Sequence, residues 1–121
     1  MNKYSGTEKD IHVRIHKFVV DCFVNIVRKV PKTVENIPII QQISASLTSV
    51  GANDQEADAS NSNKDFILKY TIVKKEAKET KYWLTLIKDT AILPAEIVEP
   101  HIREAQEILL IVSKIIQNSK H

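Results

Sequence analysis

The chain has 121 residues, a net charge of +2, two glycines, four prolines and 6% aromatic residues. A β-sandwich or barrel of this length needs many tight turns and many aromatic and β-branched pairs, so this composition argues against an all-β fold. The single cysteine, Cys22, excludes an intrachain disulfide and a Cys-rich zinc site, and the small net charge excludes a dominant basic arm or acidic tail.

These figures are typical of one all-α domain over residues 1–121, and its first helix is predicted over about residues 7–30. Apolar residues recur there at steps of three and four, the spacing of one helix face. That stripe consists of Ile11, Ile15, Phe18, Cys22 and Ile26. A second apolar stripe beside it contains Val13, Val20, Val24 and Val27. Since one stripe is enough to face a bundle core, the second predicts that another subunit covers this helix.

The second helix is predicted over about residues 37–59. Its apolar spacing places Asp54 on or close to the core-facing stripe. Gly51 lies in the middle of this helix, where glycine costs about 1 kcal/mol relative to alanine. Close packing against a neighbouring helix is the simplest explanation for that glycine.

The third helix is predicted over about residues 63–89. Ser62, followed three residues later by Asp65, has the form of an N-terminal helix cap. The residues that follow form the most regular heptad of the chain, which favours near-antiparallel bundle packing. This heptad consists of Phe66, Tyr70, Val73, Ala77, Thr80, Leu84 and Ile87.

The fourth helix is predicted over about residues 95–118, with Pro94 suited to its beginning. Pro100 lacks an amide donor and restricts Glu99, so we expect a short turn over residues 95–98 and then the main helix. Four helices with short connections predict an antiparallel up-down-up-down four-helix bundle.

Charge is divided unevenly among these segments. Residues 34–63 contain four acidic residues and no Lys or Arg, whereas the segments on either side carry a net positive charge. The basic residues singled out on the third helix are placed on one stripe opposite the apolar heptad: Lys74, Lys78, Lys81 and Lys88. The first helix adds Arg14, Lys17, Arg28 and Lys29. Two interpretations stay open, a solvated face that serves solubility and a surface that faces nucleic-acid phosphates.

Motifs of catalysis and of metal binding are missing from the sequence. It contains no Gly-rich phosphate loop, no HExxH, no GxSxG and no Glu-x-x-His pair of a di-iron bundle. His12 and His16 are too few for a specific metal site and are expected to be solvated. Cys22 is expected to be a buried core residue. We therefore predict a protein without enzymatic activity, cofactor or metal.

Polar residues near the predicted core form a further group: Asn53, Glu56, Glu76, Glu79 and Thr80, with Asp54 beside them. Paired carboxylates are able to perform acid–base chemistry, but such groups more often form a hydrogen-bonded network that fixes helix register. We favour the network and expect Asn53 and Glu76 to bridge the second and third helices.

Two stretches carry a family resemblance. One is S-V-G-A-N at residues 49–53, followed by E-A at 56–57; the other is K-D-F-I at 64–67, continuing to K-E-A-K-E-T-K-Y-W-L at 75–84. Together they resemble the bacterial four-helix bundle proteins encoded in intervening sequences of 23S ribosomal RNA genes. The resemblance implies an antiparallel bundle that assembles into a homo-oligomeric ring, commonly a pentamer, with a largely undefined function. The resemblance implies no catalytic residue in this chain. Related accessory proteins of retroelements are basic rings that bind nucleic acid and a partner reverse transcriptase.

The chain departs from the family pattern on the second helix. The family often carries arginines before and after the S-I-G-A-N motif, where this chain has Ala45, Gln55, Ala59 and Asn61. Any nucleic-acid binding is therefore expected to use the first and third helices. The predicted function is a non-enzymatic scaffold associated with RNA or DNA, and the alternative is a structural or protein-interaction module that binds no nucleic acid. No stretch approaches the roughly 20 apolar residues of a membrane span, and the N-terminus is polar, so a cytoplasmic location is expected.

Overall fold

The computed structural model describes residues 6–120, and within that range the chain is helical and contains no strand. Its helices are α1 (Gly6–Asn25), α2 (Ile37–Asp58), α3 (Asn63–Asp89) and α4 (Ala95–Ser119). A short 3-10 turn, Val27–Lys29, follows α1. The all-α prediction with four helices is confirmed, and none of the described helices is long and apolar enough to cross a membrane.

The end of α1 differs from the prediction, because the helix ends at Asn25 rather than near residue 30. The chain tightens into the 3-10 turn, and Val30 is then extended with a ψ of 123°. Pro31 explains this end, since the residue before a proline is pushed out of the α region. Ile26 and Val30 remain buried, so the apolar pattern continues beyond the helix that it suggested.

The beginning of α4 also differs from the prediction. A single helix runs from Ala95 through Pro100 to Ser119, so the expected break before Glu99 is wrong. Pro100 is only the sixth helical residue, and its missing amide removes one hydrogen bond, to the carbonyl of Glu96. Val98 before the proline and Ala105 after it are both fully buried. Packing of both parts against the same core therefore outweighs the lost hydrogen bond.

One hydrophobic core is shared by all four helices. Every member of the α3 heptad is buried, and the Ser62 side chain caps that helix by accepting a hydrogen bond from the Asp65 amide at 3.1 Å. Cys22 is buried on the α1 stripe, as expected, and burial raises the pKa of its thiol. Helix α1 contacts α2 and α4, and α3 contacts the same two helices from the other side.

Candidate functional site

Three of the four lysines chosen on α3, Lys74, Lys81 and Lys88, lie on the flank of this helix and not opposite its apolar heptad. They share one heptad position, directly after a buried residue, and consecutive residues on an α-helix are about 100° apart. The prediction of a stripe opposite the core is therefore wrong for these three, whereas Lys78 lies on the outward side of the helix. The lysine and heptad pairs are Val73–Lys74, Ala77–Lys78, Thr80–Lys81 and Ile87–Lys88.

Two of these lysines face α4. Lys81 Nζ donates a hydrogen bond to Gln106 Oε1 at 2.7 Å, and Lys88 Nζ lies 3.0 Å from Glu99 Oε1. The hydrogen bond to Glu99 raises the pKa of Lys88 above its ordinary value. Both side chains are half-buried, so their amino groups serve the contact between α3 and α4.

Two of the basic residues chosen on the first helix, Arg14 and Lys17, are also paired, whereas Arg28 and Lys29 are exposed in the 3-10 turn that follows α1. Arg14 forms a bidentate pair with Glu104, at 2.7 and 2.8 Å, and lies 3.2 Å from Glu107. The hydrogen bond to Glu104 is the main cause that raises the pKa of Arg14. Lys17 pairs with Asp21 one turn along α1. Arg14 thus ties α1 to α4, and neither charge stands alone at the surface.

The remaining lysines form a compact group on α3. Lys74 and Lys78 are exposed, and so is Lys75, which the stripe pattern missed. Within residues 6–120 none of the three has an ion-pair partner, and we call them the α3 lysine patch. Tyr82 follows one turn after Lys78, is 56% exposed and packs edge-on against Trp83 at 5.0 Å between ring centroids. The Lys-Lys pair at 74–75 was the sequence signal for the wider patch.

The predicted polar network is only partly formed. The expected bridge from Asn53 to Glu76 is not formed, because the Asn53 amide donates to the Ser49 carbonyl and hydroxyl oxygens in its own helix, at 2.9 and 3.2 Å. The hydroxyls of Thr80 and Ser46 meet at 2.8 Å and join α3 to α2. The other two carboxylates of the group each have one partner: Glu79 accepts from Trp83 Nε1 within α3 at 3.2 Å, and Glu56 on α2 pairs with Lys69 on α3 at 2.8 Å.

A polar cluster that joins three helices, α1, α2 and α3, consists of His12, Asp54 and Tyr70. The Asp54 side chain is 1% exposed, and its Oδ1 accepts a hydrogen bond from the Tyr70 hydroxyl at 2.8 Å. His12 Nδ1 lies 2.8 Å from the same oxygen, and His12 Nε2 lies 3.3 Å from Asp58. Since a carboxylate only accepts, His12 Nδ1 carries the hydrogen of that contact. The expectation of a solvated histidine pair is wrong for His12, whereas His16 is exposed.

A cavity of about 190 Å³ lies between α1 and α2 beside this cluster. Its lining residues are Ile15, His16, Gly51, Ala52, Asp54 and Gln55. A Cβ atom added at Gly51 would meet only Val19 Cγ2, at an ordinary contact distance of 3.7 Å. Close helix packing therefore does not explain this glycine. Among the residues that the structure describes, no group of three or more His, Cys, Asp or Glu is arranged to hold a metal ion.

Comparisons with known proteins support the family resemblance that the two sequence motifs indicated. The model of the 23S rRNA-intervening sequence protein family matches residues 8–114. A crystal structure of a protein of unknown function from the S23 ribosomal protein family of Bacteroides thetaiotaomicron is 34% identical, with a TM-score of 0.79. That similarity covers 88% of this chain and 97% of the other. No curated protein matches the sequence.

Proposed function

Because the chain belongs to the 23S rRNA-intervening sequence protein family, we propose that it is a non-enzymatic, homo-oligomeric scaffold that binds RNA or DNA through the α3 lysine patch. The observation that carries this proposal is the contrast among the basic side chains. Arg14, Lys17, Lys81 and Lys88 all have partners within the chain. Lys74, Lys75 and Lys78 present three exposed ammonium groups within two turns of one helix.

Such a patch suits phosphate binding and provides little sequence readout. Lysine binds phosphate as a point charge, and each contact releases counterions from the nucleic acid. Only Tyr82 lies close by as an exposed ring, which makes stacking on unpaired bases a minor contribution. Three charges bind weakly alone, but an oligomer repeats the patch on every copy and raises the overall avidity. The proposed ligand is therefore a phosphate backbone of double-stranded RNA or DNA.

Assembly is proposed to use the outer faces of α1 and α2. Val13, Val20 and Val24 are 71%, 42% and 40% exposed on α1, which supports the second apolar stripe as an interface. Residues 36–53 contain no charged side chain, although they make up most of α2. Exposed apolar and uncharged faces of this kind mark interaction sites. A ring of five copies is the assembly that the resemblance implies.

Within each copy we propose the antiparallel up-down-up-down order. Side-chain contacts support it, because rising residue numbers on one helix meet falling numbers on its neighbour. Between α2 and α3 the pairs are Ser46–Thr80 and Asp54–Tyr70. Between α3 and α4 they are Lys81–Gln106 and Lys88–Glu99.

A second candidate function is a structural or protein-interaction module that binds no nucleic acid. The uncharged outer face of α2 favours it, since that face would suit a protein partner better than a phosphate backbone. A reverse transcriptase is the partner class that the family resemblance suggests.

Charge reversal of the patch tests the nucleic-acid proposal. The triple variant Lys74→Glu, Lys75→Glu and Lys78→Glu is expected to bind a short labelled RNA or DNA duplex at least about 100-fold more weakly than the wild type. The slope of log affinity against log salt should fall by about 3 for each subunit that engages the duplex. Fluorescence anisotropy over a salt series measures both quantities.

The matched control reverses three exposed lysines away from the patch, Lys32, Lys114 and Lys120, and so has the same net charge. It should lose far less affinity than the patch variant. Equal losses in the two variants would show a nonspecific effect of net charge. A wild type that binds neither duplex at low salt would refute the scaffold proposal and leave the interaction module.

A second prediction concerns assembly. The double variant Val20→Glu and Val24→Glu is expected to be monomeric at micromolar concentration, because it places two charges in the proposed apolar interface. Its far-UV circular dichroism should match the wild type, since both valines point away from the core. Light scattering coupled to size exclusion gives the mass. The control, Leu68→Glu with Thr71→Glu on the exposed face of α3, should keep the wild-type mass. A monomeric wild type would contradict the proposed assembly.

A further inference from the structure

Gly51 lies in the middle of α2, although no contact among the described residues requires a glycine there. Glycine is a poor helix former, and a Cβ atom at this position would meet only Val19 Cγ2, at an ordinary 3.7 Å. The missing side chain instead leaves open a cavity of about 190 Å³ between α1 and α2. Three of its lining residues, His16, Ala52 and Gln55, are exposed, so the cavity reaches the outer face of the two helices.

The walls of this cavity are mainly apolar. Ile15, Gly51 and Ala52 line it without polar side-chain atoms. The side chain of Asp54, which supplies the carboxylate of the lining, is 1% exposed and is therefore closed off from the surface. An aliphatic side chain that enters from outside would fill such a cavity without burying a charge that is now in water.

The same face of the chain presents exposed aliphatic side chains. Val13 and Val20 lie three residues before and four residues after His16, which is the spacing of direct neighbours on a helix surface, so both flank the rim of the cavity. Val13 is 71% exposed and Val20 is 42% exposed, so Val13 protrudes further. Because the protruding valine and the cavity share one face, contact between two copies brings the valine of one towards the cavity of the other.

Charge and size both favour a second copy as the partner on this face. Residues 36–53 contain no charged side chain, so this part of α2 offers nothing that would pair with phosphates or with a charged protein segment. Helices α1 and α2 have 20 and 22 residues. Two adjacent helices of that length make a face of roughly 30 by 20 Å, or about 600 Å² in projection. Side-chain relief enlarges this area towards the roughly 800 Å² that each partner buries in a stable interface.

We propose that the cavity between α1 and α2 is a socket in the interface between copies of this chain, and that Val13 of a second copy fills it. The proposal rests on the assembly proposed above and adds the contact that fixes how two copies fit together. Gly51 keeps the socket open, because a larger side chain there would occupy it. The helix stability that glycine costs one copy is then offset by apolar burial between copies.

Filling the socket from within the chain is the first test. Gly51→Leu is expected to raise the concentration at which half of the oligomer dissociates by at least about 100-fold, since overpacking strains the contact. Thr71→Leu on the exposed face of α3 is the matched control and should leave that concentration unchanged. Light scattering over a dilution series measures it, and far-UV circular dichroism shows that both variants fold. A Gly51→Leu variant that assembles like the wild type would overturn the proposal.

Gly51→Ala is a milder change that separates the socket from a purely structural role. In the monomeric Val20→Glu and Val24→Glu background it is expected to unfold at a higher urea concentration, because alanine is the better helix former and has space beside Val19. In the assembling chain it should weaken association about tenfold, since its methyl group competes with Val13 for the socket. A more stable chain with unchanged association would refute the socket.

A double-mutant cycle tests whether Val13 is the occupant. Val13→Ala alone should weaken association about tenfold, because it removes two buried methyl groups from each contact. Once this valine is shortened, Gly51→Ala should have little further effect, so the two changes should be strongly non-additive. Additive effects would show that another group fills the cavity and would overturn the assignment to Val13.

These outcomes are separable from those that test the assembly itself. A monomeric wild type would refute both the proposed assembly and the socket. If Val20→Glu with Val24→Glu dissociates the oligomer while Gly51→Leu and Val13→Ala leave it intact, the assembly proposal stands and the socket is wrong. None of these measurements depends on nucleic-acid binding.

Discussion

Replacing Phe18 by alanine is expected to lower the free energy of unfolding by about 3–5 kcal/mol. Phe18 is 2% exposed and lies in the middle of the core-facing stripe of α1. Truncation removes the transfer free energy of the ring and leaves a cavity that the surrounding helices fill only in part. Domains of this size are stable by about 5–15 kcal/mol, so this single change removes a large part of the total.

Urea unfolding followed by circular dichroism measures this loss, in the monomeric Val20→Glu and Val24→Glu background so that assembly does not contribute. Val13→Ala on the same helix is the matched control. Because Val13 is 71% exposed, its truncation should change the stability by less than about 0.5 kcal/mol. A loss below about 1 kcal/mol for Phe18→Ala would show that α1 is not packed on this core as described.

Replacing Tyr70 by phenylalanine is expected to destabilise the chain by about 1.5–3 kcal/mol. The change keeps the ring and removes only the hydroxyl that donates to Asp54 Oδ1 at 2.8 Å. The carboxylate is buried, and its other oxygen has no hydrogen-bond partner among the described residues, so the loss of the Tyr70 donor leaves the charge less compensated. Hydrogen bonds to charged groups are the stronger kind, which sets the expected size.

Two variants make this prediction specific. Tyr82→Phe removes the hydroxyl of an exposed tyrosine on the same helix and should leave the stability unchanged. In the Asp54→Asn background the effect of Tyr70→Phe should shrink, since the acceptor is then neutral, and a double-mutant cycle gives that coupling. Additive effects would mean that the charge of Asp54 adds nothing to the strength of the Tyr70–Asp54 hydrogen bond.

Sequence features that act within a single helix, such as an N-terminal cap or a regular apolar spacing, predicted the bounds and the buried face of that helix well. The Ser62 cap and the regular heptad placed α3 at residues 63–89, as observed. The apolar spacing also placed Asp54 on the buried face of α2. The errors came from prolines, whose effect depends on context: Pro31 ended α1 early, whereas Pro100 was tolerated because α4 buries residues on both sides of it.

The hydrophobic periodicity of the sequence could not predict which charged side chains at the surface are paired. It predicted that Lys81, Lys88 and Arg14 lie outside the core, but it gave no information on which neighbouring helix each would meet. The acceptors are Gln106, Glu99 and Glu104, all of which lie on α4. For these three cations, only the packing of α4 against α1 and α3 distinguishes a paired side chain from an exposed one.

The sequence by itself determined the helical class, the buried stripe of each helix and the family, because these depend on composition, local spacing and short motifs. The tertiary structure decided the polar contacts. His12 and Asp54 are 42 residues apart, and Asp54 and Tyr70 are 16 apart, so no local pattern could join them. The surroundings of Gly51 also needed the tertiary structure. The sequence showed only that a glycine, which is unfavourable in a helix, lies in the middle of α2. The packing of α1 against α2 showed the cavity that Gly51 borders. Side-chain partners between helices depend on distances that one-dimensional periodicity does not contain.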